Sequence, residues 1–455
     1  MATNINAREV ALKIIGEVDT EGAYANIALA KELGRHKLGD QDRRFVTELV
    51  YGTVKAGNTI DWILSHYSNR PLNKVPGVIR NILRMGIYQV FFLSKVPAFA
   101  ACNQAVELAK KYGHAGTVKF VNAVLRSAVR NPEKAVYPDK NKDSVKYLAL
   151  TYFHPEWLVK RWLNRLGVEQ TEELLKFNNQ TPALSVRTNT LKITRDELLI
   201  KLAKEGVTAQ PSEWTPEGII CLEYPALSTL GTLKQGQLQV QDESSMLVAH
   251  VLAPQPGEFI IDACGAPGGK STHIAALMNN RGRVVSGDIY SHKLKITEAN
   301  AARLGITIIE TKEIDATKLD TVYAGQADRV LVDAPCSGLG VLRRKPDSRW
   351  RKTKMMLEEL PKLQGAILAS AAACVKPGGV LVYSTCTTEP EENNQVVAAF
   401  LAANQEFILE TTGEYLPQAR PEQTIQLWPH RDGVDGFFIA RMVRNIAGGI
   451  KSDKN

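Results

Sequence analysis

Apolar residues in the first 130 positions recur every three or four places. Val10, Ile14 and Val18 form one row, and Val46, Val50 and Val54 beside Phe45 and Leu49 a second. Ile79, Ile82, Leu83, Ile87 and Val90 form a third, and Val118, Val121, Val124 and Leu125 a fourth. This is the period of helices buried along one face. Asp42 and Pro76 stand where the second and third helices are expected to begin. The pattern predicts an all-α bundle over residues 1–135. The segment NPEKAVYPDKNKDS at 131–144 breaks the period and reads as a linker. A smaller α+β domain is expected over 145–240, with helical YLALTYFHPEWLVKRWLNRLG, strand-like LSVRTN, helical TRDELLIKLAKEG and the short strand IICLE.

Over 241–445 apolar strand runs alternate with helical segments: EFIIDA (258–263), RVVSGDI (283–289), ITIIE (306–310), RVLVDA (329–334), GVLVYST (379–385), EFILE (406–410) and GFFIARMV (436–443). Nearly continuous apolar strands separated by helices predict a doubly wound α/β domain of Rossmann-like form, its parallel sheet covered on both faces. Ligands in such sheets bind at the carboxyl ends of the strands. Residues 446–455 read as a flexible tail.

Charge sharpens this picture. The 455 residues hold 56 Lys plus Arg against 48 Asp plus Glu, a formal net charge of +8, which favours a polyanionic partner. Between Asn69 and Arg130, ten Lys or Arg face the single acid Glu107, and that density points to a phosphate-binding surface. The six cysteines, at 102, 221, 264, 336, 374 and 386, include no CxxC pair and no nearby histidine at ligand spacing, so no metal is expected. Without disulfide-like density they read as reduced, cytoplasmic thiols. No uncharged apolar run reaches 18 residues, which argues against a membrane span or a leader.

The first strand of the α/β domain runs into Asp262-Ala263-Cys264-Gly265-Ala266-Pro267-Gly268-Gly269-Lys270 and then a helix. A glycine-rich turn there brings backbone and helix N-terminus close to a nucleotide-like cofactor. Gly269-Lys270-Ser271 also matches the end of a phosphate-binding P-loop, but the loop's first glycine would fall on Cys264 and Pro267 stiffens it, so an ATPase is the weaker alternative. Asp288 closes the second strand, where a carboxylate meets ribose hydroxyls. Asp315 follows the third, placed for the cofactor's base, and Asp333 closes the fourth. Acids at several strand ends suit the cationic, adenosine-containing S-adenosylmethionine better than a phosphate-bearing cofactor.

Two cysteines share that rim, Cys336 in DAPCSG and Cys386 in STCT. Cytosine C5 needs activation before it accepts a methyl group, and a thiolate adding to C6 makes C5 enamine-like. Cys102, Cys221 and Cys374 read as small buried hydrophobes. The basic run after Cys336, with Arg343, Arg344, Lys345, Arg349 and Trp350, offers phosphate contacts and a stacking ring for RNA.

DACGAPGGK, DAPCSG and STCT in this order resemble the RNA cytosine-5 methyltransferases of the RsmB/NOP (Sun/Fmu) family. The helical front half is similar to NusB, LSVRTNTLK to the segment ahead of the catalytic domain and DGFFIARM to the usual last strand. The resemblance implies that Cys264 through Lys270 form the S-adenosylmethionine loop, that Asp288 holds the ribose, that Asp315 meets adenine, and that Asp333 faces cofactor and base. It further implies Cys386 as nucleophile, Cys336 in product release, and 16S ribosomal RNA as substrate of a monomeric enzyme. The family usually has alanine where this chain has Gly265, a small residue expected to leave the loop working. The alternative of another class is a non-catalytic ribosomal RNA assembly factor.

Overall fold

In a computed structural model the described residues are 6–446, and they form two compact units: residues up to 180 with 342–352, and residues 181–341 with those from 353 onward. The tail expected at 446–455 lies, beyond Ile446, outside the described residues.

The first unit is helical. Its elements are α1 (Ala7–Thr20), α2 (Ala25–Arg35), α3 (Asp40–Lys55), α4 (Gly57–Ser65), α5 (Gly77–Phe92), α6 (Ala98–Tyr112), α7 (Ala115–Arg130), α8 (Ser144–Thr151) and α9 (Glu156–Phe177). The apolar rows seen in sequence supply its core, with Val10, Ile14, Val46, Val50, Ile79, Ile82, Leu83, Ile87, Val121 and Leu125 buried together. Pro76 precedes α5, and Asp42 lies in the acidic first turn of α3, where it meets the positive end of the helix. The 131–144 segment carries a short 3₁₀ turn and, at Ser144, runs into α8. Helices α8 and α9, at the start of the expected 145–240 segment, lie in this unit.

The second unit contains two sheets. In the first, β1 (Leu184–Thr188), α10 (Arg195–Lys204), β2 (Thr208–Pro211), β3 (Gly218–Glu223), α11 (Gly231–Lys234) and β4 (Leu238–Val240) give an antiparallel sheet of order β2-β3-β1-β4. Thr194 and Glu197 cap α10 reciprocally, satisfying backbone donors that the helix itself leaves unpaired.

The larger sheet follows: α12 (Glu243–Leu252), β5 (Phe259–Asp262), α13 (Gly269–Leu277), β6 (Arg283–Asp288), α14 (Ser291–Leu304), β7 (Ile309–Glu313), α15 (Asp320–Tyr323), β8 (Ala327–Asp333), α16 (Met356–Cys374), β9 (Val375–Thr385), α17 (Asn394–Ala403), β10 (Phe407–Leu409), β11 (Ile425–Leu427), α18 (Pro429–Asp432) and β12 (Phe437–Arg444). Its order is β10-β12-β9-β8-β5-β6-β7, with β11 also paired to β12. The strands from β5 to β9 run parallel, and helices cover both faces. Two details depart from the sequence expectation. The last strand, β12, runs antiparallel to its neighbours β9, β10 and β11, so the sheet is mixed. And β7 begins three residues later than ITIIE, because an edge strand needs only alternating burial and takes in the polar IETKE.

Candidate active site

Strand β5 ends at the fully buried Asp262, and the chain turns through Ala263–Gly268 into α13. Gly268 has φ +93°, and a Cβ there would lie 2.8 Å from Thr297 of α14, so the turn needs glycine for both backbone and packing. At Gly265 a Cβ would meet Ser286 Oγ at 2.3 Å and Ser271 Oγ at 2.7 Å. Those two hydroxyls hydrogen-bond to each other at 2.9 Å, and Ser271 Oγ donates to Asp262 Oδ2 at 2.7 Å. The glycine in place of the family's alanine is thus occupied space: serines fill it. From the middle sheet, Arg187 Nη1 donates to Gly269 O at 2.7 Å and Nη2 to Thr272 Oγ1 at 3.0 Å, fixing the start of α13.

A cavity of about 260 Å³ opens over this turn. Cys264, Gly265, Ala266, Pro267, Gly269, Lys270 and Asp333 line it, together with the strand-end Asp262 and with Asp242 and Gln241, which the sequence did not single out. Gly268 serves the turn from behind. Asp288 ends β6 on the same rim and accepts from Tyr290 N at 2.9 Å, while Asp315 lies past β7, exposed, its Oδ1 taking the N–H of Thr317 at 3.0 Å and its hydroxyl at 2.7 Å. Neither lines the cavity.

The lining is acidic, and its one lysine is already paired: Lys270 Nζ stands 2.7 Å from Asp333 Oδ2. Burial pulls the Lys270 ammonium toward losing its proton, but Asp333 outweighs that and raises its pKa. A lysine so committed is poorly placed to cradle a phosphate, and the carboxylates around it repel one. Burial pushes the Asp262 carboxyl up to about 7, and Asp333 and Asp288 add to the rise. Burial and the same acids push the Cys264 thiol far above its ordinary range, so this cysteine stays protonated.

Adjacent parallel strands end at the same level, which is why Cys336, three residues past β8, meets Cys386, the residue after β9. Their sulfurs lie 3.3 Å apart, and both are partly exposed. Asp333 pairs with Ser384 across the two strands, and Ser384 Oγ donates to Asp333 Oδ1 at 2.9 Å. The hydrogen bond to Cys386, then burial, then Glu392 and Asp333 hold the Cys336 thiol well above its ordinary pKa. Cys336 therefore keeps its proton, and Lys270 is the ammonium that feels charge on Cys386.

The thiol loops rest on a buried carboxylate. Glu392, fully buried, accepts Ser337 N at 2.8 Å, Ser337 Oγ, and Gln364 Nε2 at 3.0 Å, while Gln364 Nε2 also reaches Pro335 O at 3.0 Å. Ser337 Oγ meets Thr387 Oγ1 at 2.9 Å, and Gly340 N donates to Cys386 O, tying the two turns together. No periodicity marks these residues, and only the proximity of PEENN to STCT in sequence hinted at them.

The basic run behaves differently from its expectation. Residues 342–352 fold into the helical unit, and Arg349 is 0% exposed. Its guanidinium donates to Phe153 O at 2.8 Å, Asn179 Oδ1 at 2.9 Å and Asn178 O at 3.1 Å. Trp350 Nε1 donates to Val54 O at 2.9 Å. Arg349 is therefore a strut, its guanidinium spent on two backbone carbonyls and the Asn179 amide oxygen, whereas Trp350 ties down only its Nε1 and stays partly exposed. Arg343 lies over the Phe177 ring, 4.5 Å from its centroid, and Lys345 is exposed. Cys102, Cys221 and Cys374 are buried as expected.

Comparison with known proteins agrees with this geometry. Residues 249–443 match the family described as 16S rRNA methyltransferase RsmB/F, residues 5–130 the NusB family and residues 154–226 the ferredoxin-like domain of RsmF/B-like methyltransferases. The chain is 41% identical over 443 residues, 96% of its length and 98% of the relative's, to the probable ribosomal RNA small subunit methyltransferase B of Bacillus subtilis. The crystal structure of PH0851 superposes with a TM-score of 0.82 at 28% identity, covering 96% of this chain and 99% of that one. The structure of NSun6 from Pyrococcus horikoshii with SFG gives 0.58 at 26% identity, covering 64% and 98%. With an acid-lined cavity beside a glycine turn, paired thiols on adjoining strand ends and this likeness over nearly the whole length, the chain belongs to the RsmB family of ribosomal RNA small-subunit methyltransferases.

Proposed function

We propose that the protein transfers a methyl group from S-adenosylmethionine to C5 of a cytosine in 16S ribosomal RNA, through a covalent bond between Cys386 and C6. The observation that carries this reading is the Cys336–Cys386 pair, with sulfurs 3.3 Å apart, beside the Lys270–Asp333 ion pair at the mouth of the acidic cavity. The cofactor fits the residues present: Asp242 and Asp333 offer negative charge to a sulfonium, Asp262 joins them above its pKa of about 7, the α13 N-terminus offers backbone donors, and a polyphosphate would meet repulsion. NSun6, crystallised with the S-adenosylmethionine analogue SFG, shares the fold. Asp288 and Asp315 are proposed for ribose and adenine from their strand-end positions. When bound, the cofactor supplies an electrophilic methyl group.

The chain's own residues do the rest. The cytosine is unstacked before it reaches the thiols, since C6 is shielded within a helix. Cys386, as thiolate, adds to C6, and the electron pair displaced toward C5 makes that carbon nucleophilic. Lys270 balances charge at Cys386, and Asp333 orients Lys270 and faces the base. After methylation the C5 proton passes to water, its C–H electron pair restores C5=C6, and the C6–sulfur pair leaves on Cys386 as thiolate. Cys336, protonated and in contact with Cys386, assists that release by donating a hydrogen bond to the departing sulfur. Arg343, Arg344 and Lys345 are proposed to contact the RNA backbone, together with the cations of 69–130 that are not tied to acids.

Tritium transfer to 16S ribosomal RNA tests the activity directly. Cys386→Ala is expected to abolish transfer, and Cys336→Ala to accumulate a protein–RNA adduct that survives denaturant. Wild-type transfer by Cys386→Ala would remove the nucleophile assigned here. S-adenosylmethionine binding without transfer by the intact chain would instead support a non-catalytic assembly factor.

A further inference from the structure

The unused polar cluster of the second unit lies behind the cofactor turn. Glu217 precedes β3 of the middle sheet, His250 occupies the last turn of α12, and His273 lies on α13, four residues beyond the loop's Gly269. One atom from each of the three side chains converges on a single point, all within 4.8 Å of one another. His273 Nε2 stands 2.8 Å from Glu217 Oε1, and His250 Nε2 stands 3.0 Å from Oε1 and 3.1 Å from Oε2.

Two observations separate this cluster from a plain buried ion pair. His273 is 1% exposed, its Nδ1 has no hydrogen-bond partner, and its Nε2 approaches only the Glu217 carboxylate, at 2.8 Å. Buried imidazoles are normally paired, so this one faces an unmet demand. In addition, Arg187, the nearby cation, directs its guanidinium to Gly269 O, Thr272 Oγ1 and Gln241. The carboxylate of Glu217 is left facing the two imidazoles.

We propose that Glu217, His250 and His273 bind one borderline divalent transition-metal ion, Zn²⁺ in preference to Mg²⁺ or Ca²⁺. Two imidazoles and a carboxylate are the ligand types that such ions take, whereas the hard cations select oxygen. Ligand bonds of about 2.0–2.2 Å in a tetrahedron set neighbouring donor atoms about 3.3–3.6 Å apart; Glu217 Oε1 stands 2.8 and 3.0 Å from the two imidazoles, and all three donors lie within 4.8 Å, so small side-chain shifts close the site. The partly exposed edge of His250 leaves the fourth position to water. The ion's role is structural. It joins the middle sheet to α12 and α13, and α13 begins at the glycine turn of the cofactor cavity, so metal binding stiffens that turn. Cysteine spacing in sequence pointed away from metal because these three ligands come from separate elements, 33 and 23 residues apart.

The test is Co²⁺ titration of the full chain without RNA or S-adenosylmethionine, so its outcome is independent of the methyltransferase reading. One equivalent should give the visible absorption of tetrahedral Co²⁺ without the near-ultraviolet thiolate charge-transfer band that cysteine binding produces. Zn²⁺ should displace it. His250→Ala, at a partly exposed position that leaves the core intact, and Glu217→Gln should each weaken binding by more than about tenfold, with circular dichroism unchanged for the His250 variant. Absence of a visible band, a thiolate band, or a band that persists in His250→Ala overturns the assignment.

Discussion

Replacing Asp262 by Asn tests the electrostatics of the cofactor cavity. This carboxyl has no exposed surface, Oδ2 accepts from Ser271, and Oδ1 has no partner. Its pKa rises from 3.8 to about 7 on folding, first through burial and then through Asp333 and Asp288. Between those values the native state holds a proton that the unfolded chain has lost, so stability falls as pH rises from 3.8 to about 7 and is level above. The full penalty is about 4 kcal/mol. Asn carries no charge and removes it, but its NH₂ falls where Oδ1 has no partner, which costs about 1–3 kcal/mol. The variant is therefore expected to match wild type near pH 5 and to exceed it by about 2 kcal/mol at pH 8. Hydrogen exchange of peptides spanning β5, corrected for intrinsic rates, reads this locally. It avoids assuming that two units unfold as one. A stability difference that is flat between pH 5 and pH 8, or that shrinks as pH rises, refutes the reasoning. The same substitution removes one acid from the lining, so S-adenosylmethionine should bind more weakly to the more stable protein.

Three further outcomes follow from the geometry. Limited alkylation with iodoacetamide, mapped by mass spectrometry, should label Cys386 well before Cys264, whose thiol is held protonated by burial and neighbouring acids, and preferential labelling of Cys264 would contradict that account. Gly265→Ala should lose about 1–3 kcal/mol from overpacking, and adding Ser286→Ala should recover part of it, since Ser286 Oγ is the nearest obstruction at 2.3 Å; thermal unfolding of the single and double variants decides. Arg349→Met should destabilise the helical unit by several kcal/mol, about 1–3 for each buried acceptor left unpaired, while the salt dependence of RNA binding by the remaining folded protein stays the same. A lower salt slope with unchanged stability would return Arg349 to the RNA-contacting set.

What the sequence determined by itself was everything set by local period and chain order. The three- and four-residue rows fixed the helices, and alternating apolar runs and helices fixed a sheet whose parallel strands carry DACGAPGGK, DAPCSG and STCT to one rim. A crossover between parallel strands always returns the chain to the same end, which is why the glycine turn and both cysteines could be placed on one rim from sequence. Tertiary structure decided what depends on strand order and burial. That Cys336 touches Cys386 follows from β8 lying beside β9, and that β12 reverses direction follows from pairings no run of residues encodes. Arg349 looked like an RNA ligand because composition treats basic residues as solvent-facing, whereas the fold surrounds it with carbonyl groups. Glu392 and the Glu217–His250–His273 cluster were silent for the same reason: a polar side chain gains its chemical character from neighbours brought together across the sequence, and from the water removed around it.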